Sequence, residues 1–175
     1  MSLRQETPIV SELATSSAAR SALRRFATGV TVLTVNLDGV RHGATVSAVV
    51  PISRDPLVLG VCLRSPSGFC EMTRKAGRFC VNVLSTKQAW LANQFAKPNR
   101  PPGDAQFHAV QWWADKITGA PFLAGCVAHM SCDVLGHHPI GDHDLIVAEA
   151  VAGFFNNGLP LISYAGSLME EEGQS

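Results

Sequence analysis

Hydrophobic residues recur along the chain in the short, two-residue rhythm of strands more than in the rhythm of helices. The run VTVLTV at 30–35 alternates β-branched positions and predicts a strand. Asp38-Gly39 follows, a dipeptide suited to left-handed turn backbone, so the chain from Val40 is predicted to pair back as a hairpin. The segment 40–69 as a whole reads as two or three buried strands. Its run LVLGVCL at 57–63 is apolar throughout, as a strand covered on both faces would be. Its other run, HGATVSA at 42–48, has almost no side-chain bulk, leaving room for a flat ligand near the backbone. Further strands are predicted at 79–84, 110–113, 128–135 and 145–152, with a last one at 160–164.

Three segments carry helical spacing instead. At 18–26, Ala22, Leu23 and Phe26 share one face. A short helix at 69–75 is closed by Gly77, with Ser65 as its N-cap and Pro66 at its first position. A third runs over 87–95. Residues 96–106 hold three prolines and a glycine and predict a loop, long enough to be functional. Many strands at hairpin spacing, without regular strand–helix alternation, predict a mainly β fold: an antiparallel barrel with peripheral helices at its rim. Residues 18–168 form one domain in this reading, preceded by a flexible segment, 1–17, and followed by a tail, 169–175.

Composition narrows the function. The chain has 175 residues, 46% apolar and 16% charged, with 14 basic and 14 acidic side chains. That is enough for a real core, and it offers no charge excess to attract nucleic acid or an anionic membrane. No stretch is apolar enough for a membrane span, and residues 1–6 show no signal core. Cys62, Cys70, Cys80, Cys126 and Cys132 are odd in number and form no C-x-x-C, which predicts buried free thiols in a reducing cytoplasm. A near-neutral, rather apolar chain also suits a dimer.

Candidate chemistry falls in three places. Arg64-Ser65-Pro66-Ser67 joins a buried strand to a helix start, where free N–H groups favour phosphate. An ordinary strand–turn–helix of the core explains these residues equally well. His137, His138, Asp142, His143 and Asp144 crowd a polar break between strands, but their spacing fits no defined metal-ligand pattern and no metal is expected. A solvated turn, or a His143 aimed at a ligand, are the other readings. Phe107, at the end of the long loop, is placed to lie over a pocket. No G-x-S-x-G or G-x-G-x-x-G is present.

Five segments, in order, resemble one family. Arg25-Phe26-Ala27-Thr28-Gly29-Val30-Thr31-Val32-Leu33-Thr34 is similar to the opening signature of the flavin reductase-like domain, the small NAD(P)H:flavin oxidoreductases of two-component monooxygenases. His42-Gly43-Ala44-Thr45-Val46-Ser47-Ala48 resembles its H-G-x-T-x-[SN]-[SA] strand. Ser53-Arg54-Asp55-Pro56-Leu57-Val58-Leu59 resembles its S-x-[DN]-P-L-V-L. The segment GRFCVNVL at 77–84 matches its G-R-F-x-V-N-V-L, and Gly141-Asp142-His143 its G-D-H.

The resemblance implies an FMN-binding split barrel, dimeric, with FMN or FAD as cofactor and NADH or NADPH as hydride donor. It implies a flavin-dependent monooxygenase as recipient of the reduced flavin. The implied flavin contacts are Thr45, Val46, Ser47, Ala48, Ser53, Cys62, Leu63, Arg64, Ser65, Ser67 and Lys97. His42, Gly43, Asp142 and His143 would border the nicotinamide, with His143 the catalytic candidate. Where the family often has a cation after its last glycine, this chain has Ser167. That departure keeps a second reading in view, a non-catalytic flavin carrier or sensor on the same barrel.

Overall fold

A computed structural model describes residues 16–170. Of the flexible segment expected at 1–17, only Ser16 and Ser17 fall within it, and they begin a helix; the rest lies outside the described residues, as does 171–175 of the tail. The chain opens with helix α1 (Ser16–Leu23) and strands β1 (Thr28–Gly29), β2 (Thr31–Leu37) and β3 (Val40–Val46). Asp38 and Gly39 make the β2–β3 turn with positive φ, 51° and 86°, as the dipeptide predicts. Strands β4 (Val49–Arg54) and β5 (Leu57–Arg64) lead into helix α2 (Gly68–Ala76) and strand β6 (Arg78–Val83). After helix α3 (Ala89–Ala96) come β7 (Trp112–Ala114), β8 (Pro121–Leu123), the two long strands β9 (Ala128–Ile140) and β10 (His143–Phe155), and the short pair β11 (Ile162–Tyr164) and β12 (Ser167–Met169).

Seven strands form one antiparallel sheet in the order β3-β2-β6-β9-β10-β5-β4. Its two edge strands, β3 and β4, are consecutive in sequence and joined only through Ser47 and Ala48. Three peptide steps span at most roughly 11 Å, whereas seven flat strands would be about 29 Å wide. The link therefore forces the sheet to curl until its edges approach. No ladder pairs β3 with β4, so the curled sheet stays open at that seam, as expected of a split barrel.

Strand β2 separates two cores. On one side Leu33 and Val35 join Val61, Phe79, Val81 and Ile146 inside the curled sheet, and Phe69 and Cys70 of α2 plug it. On the other side Val30 and Val32 pack against α3 through Leu91, Ala92 and Phe95, with Phe107 and Leu161. Phe107 thus does not cover a pocket. It is buried beside the Phe95 ring, with centroids 5.3 Å apart. All five cysteines are free thiols; Cys62 is half-buried and the other four are buried. Burial pushes Cys126 and Cys132 up to about 12, so these thiols stay protonated and inert.

Several boundaries differ from the sequence reading, each for a visible reason. Strand β4 is not buried: Val50 and Ile52 are exposed because β4 is an edge strand that no other described element covers on its outer face. The polar break expected at 137–144 is strand. His137 and His138 continue β9 in register with Ile146 and Leu145, and only Gly141 and Asp142 turn. The final strand is β12, not the one near 160–164.

Candidate functional site

A cleft of about 950 Å³ opens along β3, the free edge of the large sheet. His42, Ala44 and Thr45 form its floor. Leu63 and Arg64 at the end of β5, with Ser67, Gly68 and Phe69 at the start of α2, form one wall. Phe95, Pro98, Arg100 and Gln106 form the other. Among the described residues, no aspartate or glutamate lines it.

The start of α2 is set by Ser67. Its backbone is extended (φ −147°, ψ 152°), and the Cys70 N–H donates to its Oγ at 3.3 Å. The cap is therefore Ser67, not Ser65. Ser65 still belongs to the strand ends, where its N–H donates to the Asp142 carbonyl at 3.0 Å. At the other end, Gly77 closes the helix in left-handed conformation (φ 68°), as the sequence predicts. With Cys70 N–H capped, the Gly68 and Phe69 N–H groups of the first turn have no acceptor within the helix, and both residues line the cleft.

The opposite wall is fastened to β3 by side chains that imitate a strand. The outward N–H of Arg41 donates to Asp104 Oδ1 at 3.2 Å, and that of Gly43 donates to Gln106 Oε1 at 3.1 Å. Arg41 also pairs with Asp104 at 2.7 Å and lies over the Trp112 ring. The edge is thereby covered without a further strand. Gly43 is required by packing and not by a ligand, because a Cβ there would come within 2.6 Å of the Phe95 ring.

His42 sits at the centre. Its Nδ1 lies 2.8 Å from Gln106 Nε2 and its Nε2 lies 3.0 Å from an Arg100 Nη. Burial first, and the Arg100 charge second, depress it to about 4. The ring is therefore neutral near pH 7. Because Gly43 N–H fixes Gln106 Oε1 as acceptor, Gln106 Nε2 must donate to His42 Nδ1. The single ring proton is then on Nε2, the nitrogen that faces Arg100.

Pairing of β5 with β10 sets His143 opposite Arg64. The His143 ring is exposed, with Nδ1 2.8 Å from Asp142 Oδ1, and this hydrogen bond and charge hold Asp142 below the usual carboxylate range. Asp144, next in the chain, points inward and is buried. It takes Arg74 of α2 and His137 of β9, the latter at 2.9 Å. The histidine-rich segment is thus divided between a surface pair and an internal ion pair.

Of the residues expected at the site, His42, Thr45, Leu63, Arg64 and Ser67 line the cleft. Gly43 is turned toward α3, and Val46 lies in the barrel core. Ser47 and Ala48 are exposed on the link between the edges, and Ser53 is on the open strand β4. Cys62 and Ser65 flank the cleft's β5 wall without lining it, and Asp142 and His143 sit beside that wall's end. Lys97 lines a second, smaller cleft of about 410 Å³ on the far side of the loop. Ser167 is in the β11–β12 hairpin and lines neither cleft. Sequence reading missed Arg100 and Gln106, although both lie in the loop it singled out.

These residues fit a flavin nucleotide. The cleft offers the small residues Ala44 and Thr45 on its floor, cations with no carboxylate among the described lining residues, and first-turn N–H groups of α2 without an acceptor in the helix. Arg100 Nε is buried without a hydrogen-bond partner, as a donor awaiting an acceptor would be.

The sequence model of the flavin reductase like domain matches residues 23–171. An NADPH-flavin oxidoreductase of Streptomyces viridifaciens is 40% identical over 154 residues, covering 87% of this chain and 79% of that protein. The reductase component of a 4-nitrophenol 4-monooxygenase/4-nitrocatechol 2-monooxygenase from Rhodococcus opacus is 36% identical over 148 residues, or 84% of this chain and 76% of that one. Among solved structures, a Streptomyces globisporus NADH:FAD oxidoreductase in complex with NAD and FAD fragments superposes with a TM-score of 0.82 at 25% identity, covering 91% of this chain and 94% of that one.

Proposed function

The chain belongs to the flavin reductase-like domain family, and on that premise we propose that it is an NAD(P)H-dependent flavin reductase. In this reading FMN or FAD occupies the cleft along β3. The observation that carries it is a roomy cleft that brings together Arg64, Arg100 and the first N–H groups of α2, with no carboxylate among its described lining residues. Such a lining selects a ligand that is flat at one end and anionic at the other.

A flavin held there would supply a ring able to take a hydride from the nicotinamide. The chain's own part is to hold two rings together and to exclude water. Thr45, Leu63, Arg64 and Ser67 are the contacts the cleft provides, and Ala48, Ser47, Val46, Ser53, Cys62, Ser65 and Lys97 are the further contacts implied by family resemblance. His143, fixed by Asp142 beside Arg64, is the proposed nicotinamide-orienting residue, with His42 and Gly43 at the opposite border. His42 is uncharged near pH 7, so its ring adds no charge to repel a cationic nicotinamide.

The reading extends to assembly and setting. Val50 and Ile52 expose an apolar face on β4, where they and Leu145 close over Gly60 of β5. Such a face suits a homodimer. The recipient of reduced flavin is proposed to be a flavin-dependent monooxygenase, as the Rhodococcus opacus relative's name suggests for that protein. Free thiols at all five cysteines suit the cytoplasm, and no helix among the described residues is long and apolar enough to cross a membrane.

The test is anaerobic mixing of the purified chain with FMN or FAD and then NADH or NADPH. Catalytic bleaching of the flavin absorbance is expected with at least one pair. Flavin that binds but is not reduced faster than in buffer overturns the enzymatic reading in favour of a carrier.

A further inference from the structure

Arg100 stands in the wall of the cleft with its hydrogen bonding unfinished. One Nη donates to the Lys97 carbonyl at 3.0 Å, and Nε is buried with no partner. The other Nη faces His42 Nε2 at 3.0 Å. That contact is not a good hydrogen bond. The Gly43–Gln106–His42 chain puts the ring's lone pair on Nδ1 and its proton on Nε2, so two donors meet. Flipping the Gln106 amide would only move the clash to Gly43 N–H. Protonating His42 would make it worse, in keeping with its depressed basicity.

No described residue supplies the missing acceptor. Among the described residues no carboxylate lines the large cleft, and the acid on the loop, Asp104, is engaged by Arg41. The second cleft, which Arg100 also lines, adds Lys97 and His108 and likewise no acid. A guanidinium partly withdrawn from water, set between two acid-free clefts and against another donor, is poised for an anion.

We propose that Arg100 receives the phosphate or pyrophosphate of the nucleotide entering the cleft, and that in turning to it Arg100 releases His42 Nε2–H to donate into the cleft. The inference rests on the flavin reductase reading and adds to it a named anion contact. The phosphate comes either from the flavin or from the nicotinamide dinucleotide.

Equilibrium titration of the whole chain, wild type against Arg100→Met and Arg100→Lys, tests this without turnover. FMN is compared with riboflavin by flavin fluorescence, and NADH with dihydronicotinamide riboside by its own. Arg100→Met is expected to weaken the phosphate-bearing member of one pair roughly tenfold or more, to leave its phosphate-free member within about twofold, and to flatten the salt dependence. Arg100→Lys recovers part of the loss. The arm that responds identifies the source of the phosphate. If neither pair changes its ratio, or both members weaken equally, the assignment is overturned while the flavin reductase reading stands. If the wild-type chain binds neither flavin nor nicotinamide nucleotide, that reading falls and the assignment with it.

Discussion

Two arginine–histidine groups flank α2, and only one of them contains a carboxylate. Near the helix's last turn, Arg74 and His137 meet the carboxylate of Asp144, whose side chain is 0% exposed. Near its first residue, His42 stands between the amide of Gln106, on Nδ1, and the guanidinium of Arg100, on Nε2. The first group balances its charge internally and ties α2 to β9 and β10. The second leaves a cation with no counter-charge of its own, at the lip of a cleft. A carboxylate makes such a group part of the scaffold, and an amide in its place leaves the charge for a ligand to complete.

The largest effect is expected where the carboxylate is removed. Asp144→Ala strands Arg74 and the His137 Nδ1, and should cost about 2–3 kcal/mol, toward the low side for a buried pair because Arg74 is partly exposed. Calorimetry should show the midpoint falling by roughly 4–12 °C. A fall no larger than that of Arg100→Met would erase the contrast between the groups. Next is Gly43→Ala, which drives a Cβ into the Phe95 ring and loosens the N–H that orients Gln106. About 1–3 kcal/mol of stability should be lost. Phe95→Leu in the same chain should recover part of it.

Acid distinguishes the groups more gently. His42 is depressed to about 4 from an ordinary value of 6.5, so the unfolded chain binds its proton first as pH falls. Its contribution to stability is present above pH 6.5 and is lost on descending toward 4. Chemical denaturation across that window should show a smaller loss for His42→Asn than for the wild type. The smallest effect belongs to Arg100→Met. It removes a donor that faces a donor, so the midpoint should move by less than about 2 °C in either direction.

How far these features could be read from the sequence depends on how local their causes are. The Asp38-Gly39 hairpin, the β-branched run of β2 and the Gly77 helix end are decided by neighbours, and the sequence shows them. Arg64 and Ser67 were reachable because strand end and helix start are adjacent in the chain. His137 to Asp144 looked like a site because polar residues crowd there, yet the β9–β10 register sends Asp144 inward and His143 outward. Period-two alternation in a strand separates residues that are adjacent in sequence. Conversely, His42 and Arg100 meet only because Asp104 and Gln106 clip the loop to the edge of β3. No spacing rule joins positions so far apart. Phe107 was misplaced for a like reason: a second core exists behind β2, and only the packing of α3 discloses it.

The most direct test of the account is a crystal structure of the chain with FMN or FAD bound. The ring system is predicted to lie in the cleft along β3, against Ala44 and Thr45, with its phosphate toward Ser67 or Arg100. Flavin bound elsewhere, with this cleft filled by the chain's own loop 96–106, would contradict it.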